Sequence, residues 1–201
     1  MKLSSLCTLQ MGYTARSRLE PASEDGVMAL QPRDISAEGG VDFQALVRVQ
    51  LSDLSDRYMV GSGDVVFRSR GERTTAIAID GSITERAVAI LPLIILRPET
   101  SIITPQFLAW SINLPASQRH LDASAQGGSM RMVPKYALDD LPIDVPDLAT
   151  QRRIVAAANL SRCEAALAIS LAEKSLSLTT LALAEAAKRA SEQRPSERSK
   201  P

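Results

Sequence analysis

Downstream of Gly128 the chain contains no glycine, and between Pro146 and Pro195 it contains no proline. These two residues punctuate regular backbone more strongly than any others. A stretch of that length without either can therefore run as one uninterrupted helix. From about Asp147 to Arg189 the sequence is dominated by Ala and Leu with interspersed Glu, Lys and Arg, all good helix formers. Forty-odd residues at 1.5 Å each would span roughly 60 Å. Ahead of this run, Leu141-Pro142-Ile143-Asp144-Val145-Pro146 leads into Gln151-Arg152-Arg153-Ile154-Val155, which reads as a strand-to-helix transition. The expected fold is α+β: a mixed, sheet-rich domain at residues 1–146, a long C-terminal helix of coiled-coil type at 147–190, and a polar, charged, disordered tail at 191–201.

The first 146 residues hold all ten glycines and every aromatic residue. Short β-like runs occur at Val41–Val49, Asp64–Ser69, Thr75–Ile79 and Ala87–Leu96, the last read as one or two buried strands; glycine-bearing turns such as Gly61-Ser62-Gly63 and Asp80-Gly81 punctuate this region. Pro105–Ile112 differs in pattern: a proline in the first turn, then Phe107, Leu108 and Trp110, predicts a short amphipathic helix. A second piece is expected at Ala116–Ala123.

In the long helix, Ile169, Leu176 and Leu183 recur at seven, with Ala172, Thr179 and Ala186 between them. Leu160, Leu167 and Leu181 keep a second heptad series, interrupted by Lys174. Read as two adjacent stripes, these form a wide apolar face that needs a partner. Packing against another copy of the chain is the expected solution, making a homodimer. The longest apolar run, Ala87–Leu96, contains Pro92 and is about half the ~20 residues that cross a bilayer. Neither it nor the N-terminal segment reads as a signal peptide, so the expectation is a cytoplasmic protein without a membrane partner. Cys7 and Cys163 lie far apart, with no metal-ligand or disulfide spacing, and are expected as reduced thiols.

Charge does not identify a partner by itself. Residues 1–146 carry 14 Lys+Arg against 17 Asp+Glu, and the remainder 9 against 6. A case for a polyanion must rest on where particular arginines sit. The densest cluster is Gly61-Ser62-Gly63-Asp64-Val65-Val66-Phe67-Arg68-Ser69-Arg70-Gly71, with Arg73 just beyond. Arg68 and Arg70 would share one side of an extended chain, since side chains alternate with period two. Such a pair suits phosphate oxygens or the O6 and N7 acceptors of guanine; a charged hairpin edge that blocks aggregation is the competing explanation. A second cluster runs through Gln126-Gly127-Gly128-Ser129-Met130-Arg131 to Lys135, whose glycine turn and Ser129, Arg131 and Lys135 could meet an anion. Gly12-Tyr13-Thr14-Ala15-Arg16-Ser17-Arg18 repeats the combination of glycine, hydroxyls and alternate arginines, and Gln31-Pro32-Arg33 adds a glutamine able to read adenine. Any one of these loops reads equally as a plain turn. Four in one small domain point toward nucleic acid, with Tyr13, Thr14, Arg16, Arg18, Gln31, Arg33, Arg68, Ser69, Arg70, Arg73, Ser129, Arg131 and Lys135 as candidate contacts.

Catalytic readings find little support. The single histidine, His120, lacks a triad context, no lysine has an acidic residue two positions before it, and there is neither a Walker-type loop nor an Asn/Asp-Pro-Pro-aromatic motif. The one metal-binding option is an acidic group formed by Asp53, Asp56 and Asp64, residues that otherwise read as turn and cap positions.

At this point the chain resembles the DNA-specificity (S) subunits of type I restriction-modification systems over roughly residues 1–188. The resemblance is carried by Gly63–Gly71, Ile103-Thr104-Pro105-Gln106-Phe107-Leu108-Ala109-Trp110, Gly127-Gly128-Ser129 through Leu138, Leu141-Pro142-Ile143 and Gln151-Arg152-Arg153-Ile154-Val155, in that order and spacing. Ser4-Ser5 stands where the family has glycine-aspartate, and Thr150 where it has glutamate. The chain carries one recognition domain and one spacer helix where family members usually have two of each.

The resemblance implies a non-catalytic subunit that reads double-stranded DNA and recruits a modification (methyltransferase) subunit and a restriction subunit. S-adenosylmethionine, ATP and Mg would be bound by those partners, and no cofactor by this chain. Two copies pairing antiparallel through Leu160, Leu167, Ile169, Ala172, Leu176, Thr179 and Leu183 would read a symmetric, interrupted site. The alternative expectation is a helical scaffold or protein-interaction module of a phage-defence complex without direct DNA readout.

Overall fold

A computed structural model of the chain describes residues 1–15, 19–22, 25–36, 40–51, 53–71, 74–81, 83, 85–127 and 131–192. It divides into two compact units, Met1–Val155 and Ala156–Pro201.

Eight short strands are present among the described residues of the first unit: β1 (Cys7–Met11), β2 (Val27–Leu30), β3 (Val47–Val49), β4 (Met59–Val60), β5 (Val65–Arg68), β6 (Thr75–Ala78), β7 (Ala87–Ala89) and β8 (Leu93–Pro98). They form two four-stranded sheets. One has the order β1-β8-β5-β6 with all neighbours antiparallel, the other β3-β2-β7-β4 with β2 and β7 parallel. Helices follow: α1 (Pro105–Ile112), α2 (Pro115–Ala123), α3 (Lys135–Asp139) and α4 (Leu148–Glu192).

The period-two alternation of strand side chains explains how one sheet serves two cores. In β5 and β8, Val65, Phe67, Ile94 and Leu96 pack with the helical layer of Phe107, Leu108, Ile112, Leu121 and Leu138. The intervening Val66, Leu93 and Ile95 pack with Leu30, Val60, Ala87 and Ala89 of the second sheet. Buried on both faces, these two strands read as continuous apolar runs, which is why they stand out in the sequence. The far face of the second sheet closes over Ala29, Val49, Val88 and Ile90, with Tyr13, Leu51 and Tyr58 against it.

Two expected strands differ from the observed ones. Ala87–Leu96 is not one strand but two, β7 and β8, which lie in different sheets; the cis Leu91-Pro92 peptide sits in the turn between them. Val41–Val49 is a strand only at Val47–Val49, because Asp42 accepts a hydrogen bond from the Gln44 amide and winds Phe43–Ala45 into a 3-10 turn. The expected helices at 105–112 and 116–123 are present, the second starting at Pro115. Thr104 caps α1, accepting from the Phe107 amide at 3.3 Å, and Pro105 occupies the first turn. Just past α1, the Asn113 side chain pairs at both its atoms with the Ala76 backbone, satisfying the outer edge of β6.

The first unit runs past the sequence-based boundary at 146 because the start of α4 is anchored to it. Gln151 is fully buried, its Nε2 donating to the Ile102 and Pro146 carbonyls at 2.8 and 2.9 Å and its Oε1 accepting from the Thr104 amide at 2.8 Å. Asp147 supplies the cap, accepting from both the amide and hydroxyl of Thr150 at 2.9 and 2.7 Å, and these bonds hold its carboxyl below the usual carboxylate range. Thr150 and Asp147 thus complete the helix start. At the other end of the unit, Leu3 and Leu6 are fully buried, and Met1 and Leu3 pair with Ile143 and Leu141.

Candidate nucleic-acid interface

Three of the four arginine-bearing loops leave the sheets next to one short segment, Ala89–Leu93. Gly12 and Tyr13, after β1, donate to the Leu93 and Ala89 carbonyls at 2.9 and 2.7 Å, and Leu91 donates back to Tyr13 at 3.0 Å. Leu30, just before Gln31, accepts from the Ile90 amide at 2.9 Å. Ser69, after β5, donates from its hydroxyl to the Pro92 carbonyl at 2.6 Å, and its own carbonyl accepts from Val133 at 2.8 Å. Three loops are thereby tied to a single hub, and the fourth is tied through Val133 to Ser69 of the third. Gly12 is required there: a Cβ would lie 2.7 Å from the Ala89 oxygen and 2.9 Å from that of Leu93, both backbone atoms that cannot swing aside.

The tightest grouping joins the Arg70 and Arg131 loops. Arg70 forms an antiparallel bridge with Met132, Met132 a second one with Gln126, and the Gly71 amide donates to the Arg131 carbonyl at 3.3 Å. Gly71 and Gly127 hold φ of 136° and 107°, a region open to glycine. Arg70 and Arg131 are exposed, as are Met132, Tyr136 and Gln126, whose amide donates to the Tyr136 hydroxyl at 3.4 Å. Lys135 is also exposed but is held by Asp139 at 2.8 Å. Tyr136 and Met132 were not among the expected contacts; nothing in their local spacing marks them, because the β-bridge that places Met132 beside Arg70 joins segments sixty residues apart in sequence, and Tyr136 joins this group through Gln126.

Other candidates sit differently from their expected roles. Arg68 does not form an exposed pair with Arg70: it is partly buried, and its Nη1 donates to the Ile35 carbonyl at 3.1 Å. Ser69 is 0% exposed and its hydroxyl is committed to Pro92, so it serves the fold and is not presented to a ligand. Tyr13 packs edge-on against Tyr58, centroids 5.5 Å apart, while Thr14 is exposed. Gln31 and the exposed Arg33 line a cleft of about 430 Å³ with Leu19, Glu20, Pro21 and Val49. Arg16, Arg18, Arg73 and Ser129 lie outside the described residues.

Among the described residues no group of three or more His, Cys, Asp or Glu side chains could hold a metal. Asp56 pairs with Arg86 at 3.6 Å, and Asp64 accepts from the Gly61 amide at 3.0 Å and pairs with Arg97 at 3.7 Å. These are turn and ion-pair roles. His120 is exposed in the last turn of α2.

The second unit is helical through Glu192, and its large apolar side chains are in solvent, from 61% exposure at Ile169 to 72% at Leu160. Thr179 turns its hydroxyl back to the Ser175 carbonyl at 3.0 Å. The two heptad series are not adjacent. Nine residues separate Leu160 from Ile169, about two and a half turns, so Leu160, Leu167, Leu171, Leu178 and Leu181 lie on one side and Ile169, Leu176 and Leu183 on the other. By length and composition this helix is also apolar enough to cross a membrane, with a mean hydropathy of 1.4 in its most apolar window.

No protein-family model matches the sequence, and no curated protein matches it. Solved structures do. A chain from a structure of the assembly and conformational transition of the type I R-M system aligns with 90% of this chain at a TM-score of 0.63 and 22% identity. The HsdS subunit from Thermoanaerobacter tengcongensis aligns with 83% at 0.58 and 19%. The type I restriction-modification S subunit from M. genitalium aligns with 80% at 0.55 and 13%. This chain spans 42%, 37% and 37% of those three chains. Two sheets followed by a long C-terminal helix are thus the α+β fold of type I restriction-modification S subunits, shared over about two fifths of their length.

Proposed function

We propose that this chain is a DNA-specificity subunit of a type I restriction-modification system, acting in the cytoplasm as a homodimer of half-sized subunits. The observation that carries this reading is that three arginine-bearing loops meet on the Ala89–Leu93 hub of an S-subunit fold and a fourth joins them through Ser69 and the Arg70–Met132 bridge. Exposed Arg70 and Arg131, joined through the Met132 bridge, offer to base edges or phosphates two guanidinium groups that have no ion pair among the described residues. Two such domains in one homodimer would read a symmetric, interrupted site. The chain itself would carry no chemistry; a modification subunit would supply S-adenosylmethionine and methylation, and a restriction subunit cleavage. Neutral overall charge is compatible with partners that contribute much of the phosphate attraction. Glu173 and Lys174 midway along the apolar helix favour a helix-helix seam over a membrane span.

The test is duplex binding by the complex with its methyltransferase subunit, combined with mapping of methylated sites. Arg70→Ala and Arg131→Ala should each weaken specific binding by about 1–3 kcal/mol and relax the preference at one position, if each contact is bidentate to a base. Ser69→Ala should leave affinity intact and lower stability by about 1 kcal/mol. Unchanged isotherms and unchanged methylated motifs for both arginine variants would overturn the reading. Absence of salt-dependent duplex binding, even with the methyltransferase present, would favour a protein-docking scaffold instead.

A further inference from the structure

Resting on that paired-helix reading, we infer that the second copy docks on the Leu160 side of the helix, antiparallel, in a single register that sets Leu167 against the partner's Leu171. The positions on this side are Ala157, Leu160, Glu164, Leu167, Leu171, Lys174, Leu178 and Leu181, spaced alternately three and four residues apart and all exposed. That spacing is the a/d pattern of a two-helix seam. It contains two charges of opposite sign, Glu164 and Lys174, ten residues apart. A charge inside such a seam is costly unless it meets its opposite, so these two residues determine which arrangements are tolerated.

A parallel, in-register pair sets Glu164 against the partner's Glu164 and Lys174 against the partner's Lys174. An antiparallel pair centred at residue 169 sets Glu164 against the partner's Lys174 twice, by symmetry. It also matches Leu160 with the partner's Leu178 and Ala157 with the partner's Leu181. Every charge meets its opposite and every apolar residue meets another. Slipping by one heptad in one direction sets Lys174 against the partner's Leu171 and Glu164 against the partner's Leu181. In the other direction Glu164 faces the partner's Leu167 and Lys174 the partner's Ala157. Both slips strand all four charges of the dimer among apolar side chains. The opposite face, with Ile169, Leu176 and Leu183, carries Arg162 and has Glu173 at its margin, but continued through Ala165, Ala172 and Thr179 its seam positions hold no acid to oppose Arg162, and it stays outside this seam.

Sedimentation of the full-length chain and a distance measurement test this together. Glu164→Lys and Lys174→Glu should each weaken the dimer tenfold or more, while the double swap should restore it to within about threefold; Leu176→Asp should leave it intact. Spin labels on exposed Cys163 should be offset by about 18 Å along the helix axis, against about 28 or 8 Å for the slipped registers and none for a parallel pair. A dimer whose swap fails to restore affinity, or whose labels report another offset, overturns the register and leaves the paired-helix reading standing. A monomer at all concentrations overturns both. A monomer that floats with phosphatidylcholine vesicles assigns the apolar helix to a membrane surface and likewise overturns both.

Discussion

The two units use the same residue type in opposite ways. Leu96 in β8 is 0% exposed, packed beneath the helices, whereas Leu160 in the second unit is 72% exposed. In the first unit most large apolar side chains find their partners inside the chain, so their role follows from intrachain contacts. In the second, eight large apolar residues from Leu160 to Leu183 are left in water. Since burying one such side chain is worth about 1.5–3 kcal/mol, their meaning lies in what covers them. The same contrast separates Ser69 and Gln151, whose polar atoms are spent on the fold, from Arg70 and Arg131, whose guanidinium groups are exposed.

Truncating a large apolar side chain in each unit is the strongest way to break this comparison. Phe67→Ala, at 0% exposure on the face of β5 that packs with the helices, should cost about 3–5 kcal/mol. Leu160→Ala should shift the same transition by less than about 0.5 kcal/mol. Urea melts followed by fluorescence of Trp110, the only tryptophan and part of the first unit's core, report that unit selectively. Equal shifts for the two variants would mean that the helix contributes to the first unit's stability after all. Next in size, Gln151→Ala should destabilise by about 3 kcal/mol, because it leaves the Thr104 amide and the Ile102 and Pro146 carbonyls without their partners. Its melting temperature should fall by roughly 6–12 °C, and a fall no larger than that of Arg152→Ala would show that water replaces the lost bonds.

How much of this was legible in the sequence depended on whether the signal was local. β5, β6 and α1 announce themselves because β-branched runs, a glycine turn or an N-terminal proline sit within a few residues. The break in Ala87–Leu96 was signalled by Pro92, but its consequence, assignment of the two halves to different sheets, depends on pairing with β2 and β5 far away. β1 and β2 were missed because Cys7–Met11 alternates cleanly over only five residues and Val27–Leu30 is a four-residue apolar run without alternation. Among the candidate contacts, arginine-rich composition marked the right loops but could not distinguish exposed Arg70 from Arg68, which folds onto Ile35. Gln151 belonged to a recognised motif, yet its three hydrogen bonds depend on the position of the α1 loop. Heptad counting found both leucine series in the long helix; only the angular offset of nine residues shows that they face opposite ways.

The two cysteines, one in each unit, extend the comparison to reactivity, with little effect on stability at neutral pH. Cys7 is 7% exposed, its thiol donates to the Leu3 carbonyl at 3.6 Å, and burial pushes its pKa up to about 12, with Asp139 adding to the rise and Lys135 opposing it. Cys163 is exposed. At pH 8 one thiol per chain should therefore react readily with an aromatic disulfide reagent, and the second only as the first unit unfolds; two fast thiols would mean that β1 opens locally. The raised value also fixes the sign of a pH effect. The unfolded chain ionises this thiol near pH 9 while the folded one keeps its proton to about 12, so the contribution is fully present below the unfolded value and is lost as pH rises through the folded one. Urea midpoints should thus decline between about pH 9 and 12, and those of Cys7→Ala should decline less steeply. Parallel curves for the two proteins would show that the Cys7 site admits the thiolate, and that the first unit is less tightly closed around β1 than its packing indicates.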